Sequence, residues 1–334
     1  MAEKNEKSVW IDIDDIKIDE MQSRLGHWSN DKKDDALVDS MKGIGQIQDV
    51  IVRPLSSKNG EKFKYGLVAG SRRFNAIVKA GKSKIRAIVK EMDDVEALET
   101  SISENIGRKD LTPFEETMSV FRLHELLMSK EEMGNFEAQK KIAKILFGDE
   151  GRAKSSVNAI LSRIRNLPPS VLTLLKKPEE RTREEKEILK KYSIPLDFEG
   201  ISGGLSNVLS SLAISLNGIT DEDKADKIFS AFSQLDLYSP YKTEDQIRST
   251  IIELRDSIKK GNPFEVALHN AKEEKKLLEI RQAFSFTIGT FSLPSKQYWD
   301  WHGKAVSRSR MDPDDLVHKV YVDWLEKQAK KEGW

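Results

Sequence analysis

Two periodicities of apolar residues alternate along the chain, and they divide it into strands and helices. Ile11, Ile13, Ile16 and Ile18 are spaced by acids and a lysine, which predicts a strand over Trp10–Ile18. Glu20–Asp31 has no period and reads as a loop; from Asp34 the helical spacing of Leu37, Val38 and Met41 runs until Gly43 and Gly45 stop it. Val50-Ile51-Val52 is a buried strand ending at Arg53-Pro54. Phe63 to Ala69 alternates as a strand, and the period then changes to the helical spacing of Phe74, Ile77 and Val78, with Gly70 and Ser71 at the junction. A further strand spans Ile85–Val89. Helices follow from Asp94 to about Gly107 and from Pro113 to about Lys130, the second opened by Thr112 with Glu115 three residues on, a capping box.

Beyond Phe136 the elements are shorter. Ile142, Ile145 and Leu146 give one helix, Gly148 and Gly151 a turn, and Val157, Ile160, Leu161 and Ile164 a second helix closed by Pro168-Pro169, a helix-turn-helix pattern. Glu179–Lys191 reads as a solvated helix or linker, and Gly200–Gly204 as a hinge. Leu205–Leu216, Lys227–Leu235, Gln246–Ile258 and Pro263–Glu279 read as helices. Phe284, Phe286 and Ile288 read as a strand and Leu316–Ala329 as an amphipathic helix; Arg308, Ser309 and Arg310 form a small basic cluster. The fold class is α+β: a mixed α/β domain over residues 8–111, a helix-turn-helix domain over 112–195, and a mostly helical C-terminal domain over 200–334.

Composition narrows the chemistry. The 334 residues carry 55 basic and 55 acidic groups, so contact with nucleic acid has to come from local patches. With no cysteine there is no disulfide, thiolate catalysis or cysteine-bound zinc, and the five scattered histidines have no metal-binding spacing. No apolar run approaches the roughly 20 residues of a membrane span, and Met1–Lys7 is polar. A protein of the cytoplasm with no membrane partner is expected.

Two stretches carry candidate chemistry. At Gly70-Ser71-Arg72-Arg73 a helix opens with a small residue and a hydroxyl beside two guanidinium groups, which suits a phosphate, although a plain strand-turn-helix with solvated arginines has the same sequence. Between Gln139 and Leu167 the bases Lys140, Lys141, Lys144, Arg152, Lys154, Arg163 and Arg165 face only two acids, Asp149 and Glu150. In the second helix Ser155, Ser156, Asn158, Ser162 and Arg163 are expected opposite the apolar stripe, where such side chains bond to bases or phosphates of DNA.

Three segments together resemble the ParB family of chromosome and plasmid partition proteins: Gly45-Gln46-Ile47-Gln48-Asp49-Val50-Ile51-Val52-Arg53, then Val68-Ala69-Gly70-Ser71-Arg72-Arg73-Phe74-Asn75-Ala76, then Glu104-Asn105-Ile106-Gly107-Arg108-Lys109-Asp110-Leu111-Thr112-Pro113-Phe114-Glu115-Glu116. Gln22-Ser23-Arg24 is similar to a short element upstream of these. The resemblance spans about Trp10–Leu175 and implies a ParB/sulfiredoxin-like fold that binds cytidine triphosphate (CTP) with magnesium. On this basis Gly70, Ser71, Arg72 and Arg73 hold phosphates, Arg24, Gln48 and Arg53 line the pocket, Glu104 and Asn105 meet the metal, and Asn105 also touches the nucleotide. Hard-cation and guanidinium–phosphate chemistry agree with that assignment. The resemblance further implies a homodimer that closes as a nucleotide-gated clamp after its helix-turn-helix captures a centromere-like site on double-stranded DNA, in association with nucleoid or plasmid.

Ser71 stands where the family has an acid, Asp49 where it has a proline, and Gly107 where it has a glutamine. Loss of the acid leaves CTP hydrolysis open and names no catalytic residue. The family's ParA-type ATPase partner is met through a basic N-terminal peptide, and here that segment has only Lys4 and Lys7. Two other readings stay open: a ParB-like transcriptional regulator that does not hydrolyse nucleotide, and a nuclease or phosphotransferase of the same fold group.

Overall fold

The sequence pattern resolves, in a computed structural model, into a mixed sheet followed by helices; the structure describes residues 7–23, 32–55, 63–106, 111–240 and 242–273. Chain contacts divide it into one unit over Met1–Glu273 and another over Glu274–Trp334. The expected strand at Phe284–Ile288, the helix at Leu316–Ala329, the Arg308–Arg310 cluster and the rest of the C-terminal domain from residue 274 onward lie outside the described residues, as do Arg24 and Gly107–Asp110.

Five strands form the sheet: β1 (Ser8–Asp12), β2 (Ile16–Ile18), β3 (Val50–Pro54), β4 (Tyr65–Ala69) and β5 (Lys84–Val89), in the order β1-β5-β3-β4-β2. β1 pairs antiparallel with β5 and β3 with β4, whereas β3 runs parallel to β5 and β2 to β4. The alternation read as one strand over Trp10–Ile18 is two strands, because a 3-10 turn at Ile13–Asp15 sends β1 and β2 to opposite edges. Helices α1 (Lys32–Gly43) and α2 (Ser71–Lys79) cover one face, with Val38, Met41, Ala76 and Ile77 meeting Val50, Val52, Leu67 and Ile85. Val68, one step out of phase with Leu67, faces the other side, where α3 (Asp94–Ile106) lies against β4.

Helix α3 belongs to two layers at once. Its Val95, Leu98 and Ile102 share a core with α4 (Pro113–Lys130), α5 (Asn135–Phe147) and α6 (Asn158–Asn166), so this core crosses the expected boundary at residue 111. Thr112 caps α4 as its sequence requires: its hydroxyl accepts from Glu115 N–H at 3.2 Å and Glu115 Oε2 accepts from Thr112 N–H at 3.0 Å. A third core runs from Leu167 to Ala271 through α7 (Arg183–Lys191), α8 (Gly203–Ser215), α9 (Asp221–Gln234) and α10 (Glu244–Lys259). It joins residues on both sides of the expected break near 200. Gly200 is packing rather than a hinge: a Cβ there would meet Lys176 O at 2.8 Å, and the next residue, Ile201, donates its N–H to Leu174 O at 2.8 Å. Among the described residues no helix is long and apolar enough to cross a membrane.

Candidate functional site

The turn at Gly70 is built by backbone geometry. Gly70, not Ser71, is the N-cap of α2; its φ of 95° is left-handed, and a Cβ would meet Val50 Cγ1 at 2.9 Å, so only glycine fits. Ser71 is the first helical residue. The first helical bond is Phe74 N–H to Gly70 O at 3.0 Å, so the N–H groups of residues 71–73 point out of the helix end, where the backbone dipole favours an anion.

Arg73 ties this turn to the rest of the domain. It donates to Asp49 O at 2.5 Å and to Glu104 Oε1 at 3.3 Å, so side chains from the second and third motifs meet. Asp49, which stands in for a proline and was not singled out as a site residue, is the centre of this cluster. Its carboxylate accepts from Ser8 Oγ and Arg86 Nε. Burial pushes its pKa up, but the Ser8 and Arg86 hydrogen bonds and the charges of Arg86 and Arg73 outweigh that and hold it below the ordinary value. Gln46 completes the cluster by pairing both ends of its amide with the backbone of Arg86. Gln48 is exposed and offers its carbonyl to Gln46 at 2.9 Å. Arg72 sits half-buried on the first turn of α2.

Two residues expected in the same pocket are engaged elsewhere. Arg53 makes a forked pair with Asp19, at 2.6 and 2.9 Å, and a third contact to Asp94 at 2.9 Å, leaving 12% of its side chain exposed. Burial lowers its pKa, yet Asp19 and Asp94 more than offset that and raise it. Gly66 permits the arrangement, since a Cβ there would lie 2.1 Å from Asp19 Oδ2. Asp94 and Glu104 stand ten residues apart on α3, about 15 Å, so Arg53 and Arg73 hold opposite ends of that helix. Asn105 is the second. Its amide nitrogen donates to Ser23 Oγ at 2.8 Å and Ser101 O at 2.9 Å, and a carbonyl partner fixes which end faces it. It clips Ser23, which also donates its N–H to Ser101 Oγ at 2.9 Å, and it leaves α3 about 100° around the axis from Glu104.

For a hard cation the fit is therefore narrow. Among the described residues no three carboxylates or histidines cluster as a metal site, and Glu104, 20% exposed beside the turn, is the carboxylate that suits one together with phosphate oxygens. A cavity of about 270 Å³ between α3, α4 and the end of α5 is lined by Asn105 and Glu116 but by neither arginine of the turn.

In the helix pair, α5 ends at Gly148 with φ 69°, and a 3-10 turn (Glu150–Arg152) and a π turn (Ala153–Val157) lead into α6. Arg152, Lys154, Ser155, Asn158 and Arg165 are exposed and Ser156 is half-buried. Lys140 and Lys154 lie over the Phe136 ring, Arg152 over Phe147, and Lys144 pairs with Glu150 at 3.5 Å. Ser162 and Arg163 are not on this face. Ser162 Oγ meets Ser210 Oγ of α8 at 2.9 Å, and Arg163, 3% exposed, donates to Glu116 (2.8 Å), Thr117 (2.9 Å), Asn207 (2.8 Å) and Gly203 O (3.2 Å). Its partners lie 40 or more positions away along the chain, so helix periodicity alone gave no sign of them.

Residues 1–106 match the family described as the ParB N-terminal domain. Chromosome-partitioning protein Spo0J of Thermus thermophilus is 34% identical over 170 residues, covering 46% of this chain and 56% of that protein. Chromosome-partitioning protein ParB of Caulobacter vibrioides is 33% identical over 171 residues, 51% of each. The chain thus spans about half the length of the curated relatives it matches. Among solved structures, C-terminally truncated ParB of Caulobacter crescentus complexed to the centromeric parS site overlays 65% of this chain and 97% of its own, at 22% identity and a TM-score of 0.36. The mixed sheet and the Gly70 turn with its paired Arg73 and Glu104 accordingly lie in the segment, residues 1–106, that matches the ParB N-terminal domain.

Proposed function

We propose that this chain is a partition protein that holds a centromere-like DNA site and is gated by CTP. The observation that carries the reading is the meeting of Arg73 and Glu104 beside the left-handed Gly70 turn. It sets backbone N–H groups, guanidinium charge and one carboxylate around a single position, a combination that suits a triphosphate with its magnesium ion. Arg72 and Arg73 would hold phosphate oxygens and Glu104 the cation. Curated relatives named as chromosome-partitioning proteins support the partition reading.

DNA would be met by the face that carries Lys140, Lys144, Arg152, Lys154, Ser155, Ser156, Asn158 and Arg165, while Arg163 holds that face in position from behind. The two acids nearest the turn, Asp49 and Glu104, are both engaged by arginines, so the reading is of binding and gating rather than of turnover. A homodimer and a ParA-type ATPase are the partners such a clamp requires, at the nucleoid or a plasmid.

The test is retention of DNA. Fragments of the encoding replicon are incubated with the protein with and without CTP and magnesium, then washed at high salt. One fragment retained only with CTP supports a gated clamp. Retention of every fragment alike, with or without CTP, contradicts it.

A further inference from the structure

We propose that Lys140 and Lys154 form a clamp for one phosphate of the DNA backbone, with Phe136 as the positioning residue that brings them together. The inference rests on the reading of α5 and α6 as the DNA face. Phe136, the second residue of α5, leaves 42% of its surface exposed. Lys140 Nζ lies 4.9 Å from its ring centroid, and Lys154 Nζ, from the turn before α6, lies 5.4 Å from the same centroid. The two ammonium groups are thus within about 10 Å of each other, each attracted by the ring.

Other lysines of this region have acids. Lys130 meets Asp94, Lys141 meets Glu99 and Glu131, and Lys144 meets Glu150. Among the described residues neither Lys140 nor Lys154 has a carboxylate partner. Two like charges are therefore gathered on an apolar ring without compensation, and the counter-charge that fits is an external anion. A lysine is a compact point charge on a flexible stem, which matches a phosphate oxygen better than a base edge. The site also lies where the first helix of a helix-turn-helix crosses the DNA backbone. Ordering two long side chains before binding removes part of the entropy cost of holding the phosphate.

The test is the salt dependence of binding to a mixed-sequence DNA duplex, read by fluorescence anisotropy for wild type, K140A, K154A, K140A/K154A, F136A, F136A/K140A/K154A and F136W. If the two lysines share one phosphate, the double variant loses about 0.9 from the slope of log affinity against log salt and binds roughly tenfold more weakly at ~0.1 M salt. F136A weakens binding about threefold while the lysines are present and has no further effect in the double variant; F136W restores it. All seven proteins keep a melting temperature close to that of wild type, because Phe136 and Lys154 are exposed and Lys140 is half-buried without a carboxylate partner among the described residues. A slope loss near 1.8, the value for two independent phosphates, or an F136A protein that binds as wild type, overturns the clamp. R152A/R165A separates the two ideas. If it weakens binding while the Phe136 and lysine variants do not, the clamp alone falls; if it too binds as wild type, the DNA face falls with it.

Discussion

Replacing Arg163 by alanine distinguishes a side chain that reads DNA from one that holds the reader in place. Arg163 is 3% exposed and its guanidinium spans three helices, with Glu116 and Thr117 of α4 on one side and Asn207 and Gly203 of α8 on the other. Removing one member of a buried ion pair costs about 3–5 kcal/mol, mostly through the charge left behind. Glu116 keeps 33% of its side chain in water, so its charge is partly solvated and the lower end, about 3 kcal/mol, applies. For a unit of this size that is a fall in melting temperature of roughly 6–12 °C. The assay pairs thermal unfolding by circular dichroism with DNA affinity measured well below the transition. The expected result is a marked loss of melting temperature with affinity within about twofold of wild type. A melting curve unchanged from wild type together with a tenfold loss of affinity would refute the reasoning and return Arg163 to the DNA face.

Arg53→Ala should destabilise by about 3–5 kcal/mol because Asp19, 1% exposed, is left as a buried charge; Asp19→Asn in the same chain should recover part of it in a urea titration, and an Arg53→Ala protein as stable as wild type contradicts the structural role. Burial, reinforced by the charge of Glu115, lifts the Glu180 carboxyl above its ordinary 4.5 against hydrogen bonds from Lys177 N–H and Thr112. A carboxyl raised on folding stabilises below its unfolded value, and that stability is lost as pH rises through the folded one. Glu180→Gln should therefore raise the melting temperature at neutral pH, with the gain closing as pH falls below about 4.5; a gain that is the same at every pH refutes the assignment. Gly70→Ala should cost about 1–2 kcal/mol from the left-handed backbone alone and weaken nucleotide binding, measured by melting and by titration; an unchanged protein would mean that the turn relaxes without cost.

Local signals were legible in the sequence where their partners are also local. The capping box at Thr112 and the change of period at Gly70 depend on residues within one turn of each other, and both elements form as their residues imply. The strand pattern over Trp10–Ile18 was legible as extended chain but not as two edges, since alternation passes through the 3-10 turn without a break. Side chains whose partners are distant give no such local signal. Arg163, Ser162, Arg53 and Asn105 are polar residues on predicted helices or strand ends, and each is bound to something 34 or more positions away. A single sequence gives a polar side chain no such partner, so it is read as reaching for solvent, ligand or DNA. Asp49 was missed for the same reason, because Ser8 and Arg86 reach it only once β1 and β5 are paired.

The central claim is tested most directly by equilibrium titration of CTP with magnesium into the wild-type protein and into Arg72→Ala, at matched DNA affinity. The account predicts saturable CTP binding by the wild type, loss of that binding in Arg72→Ala, and DNA capture that is the same in both. Equal CTP affinity in the two proteins, or no CTP binding by the wild type, would contradict it.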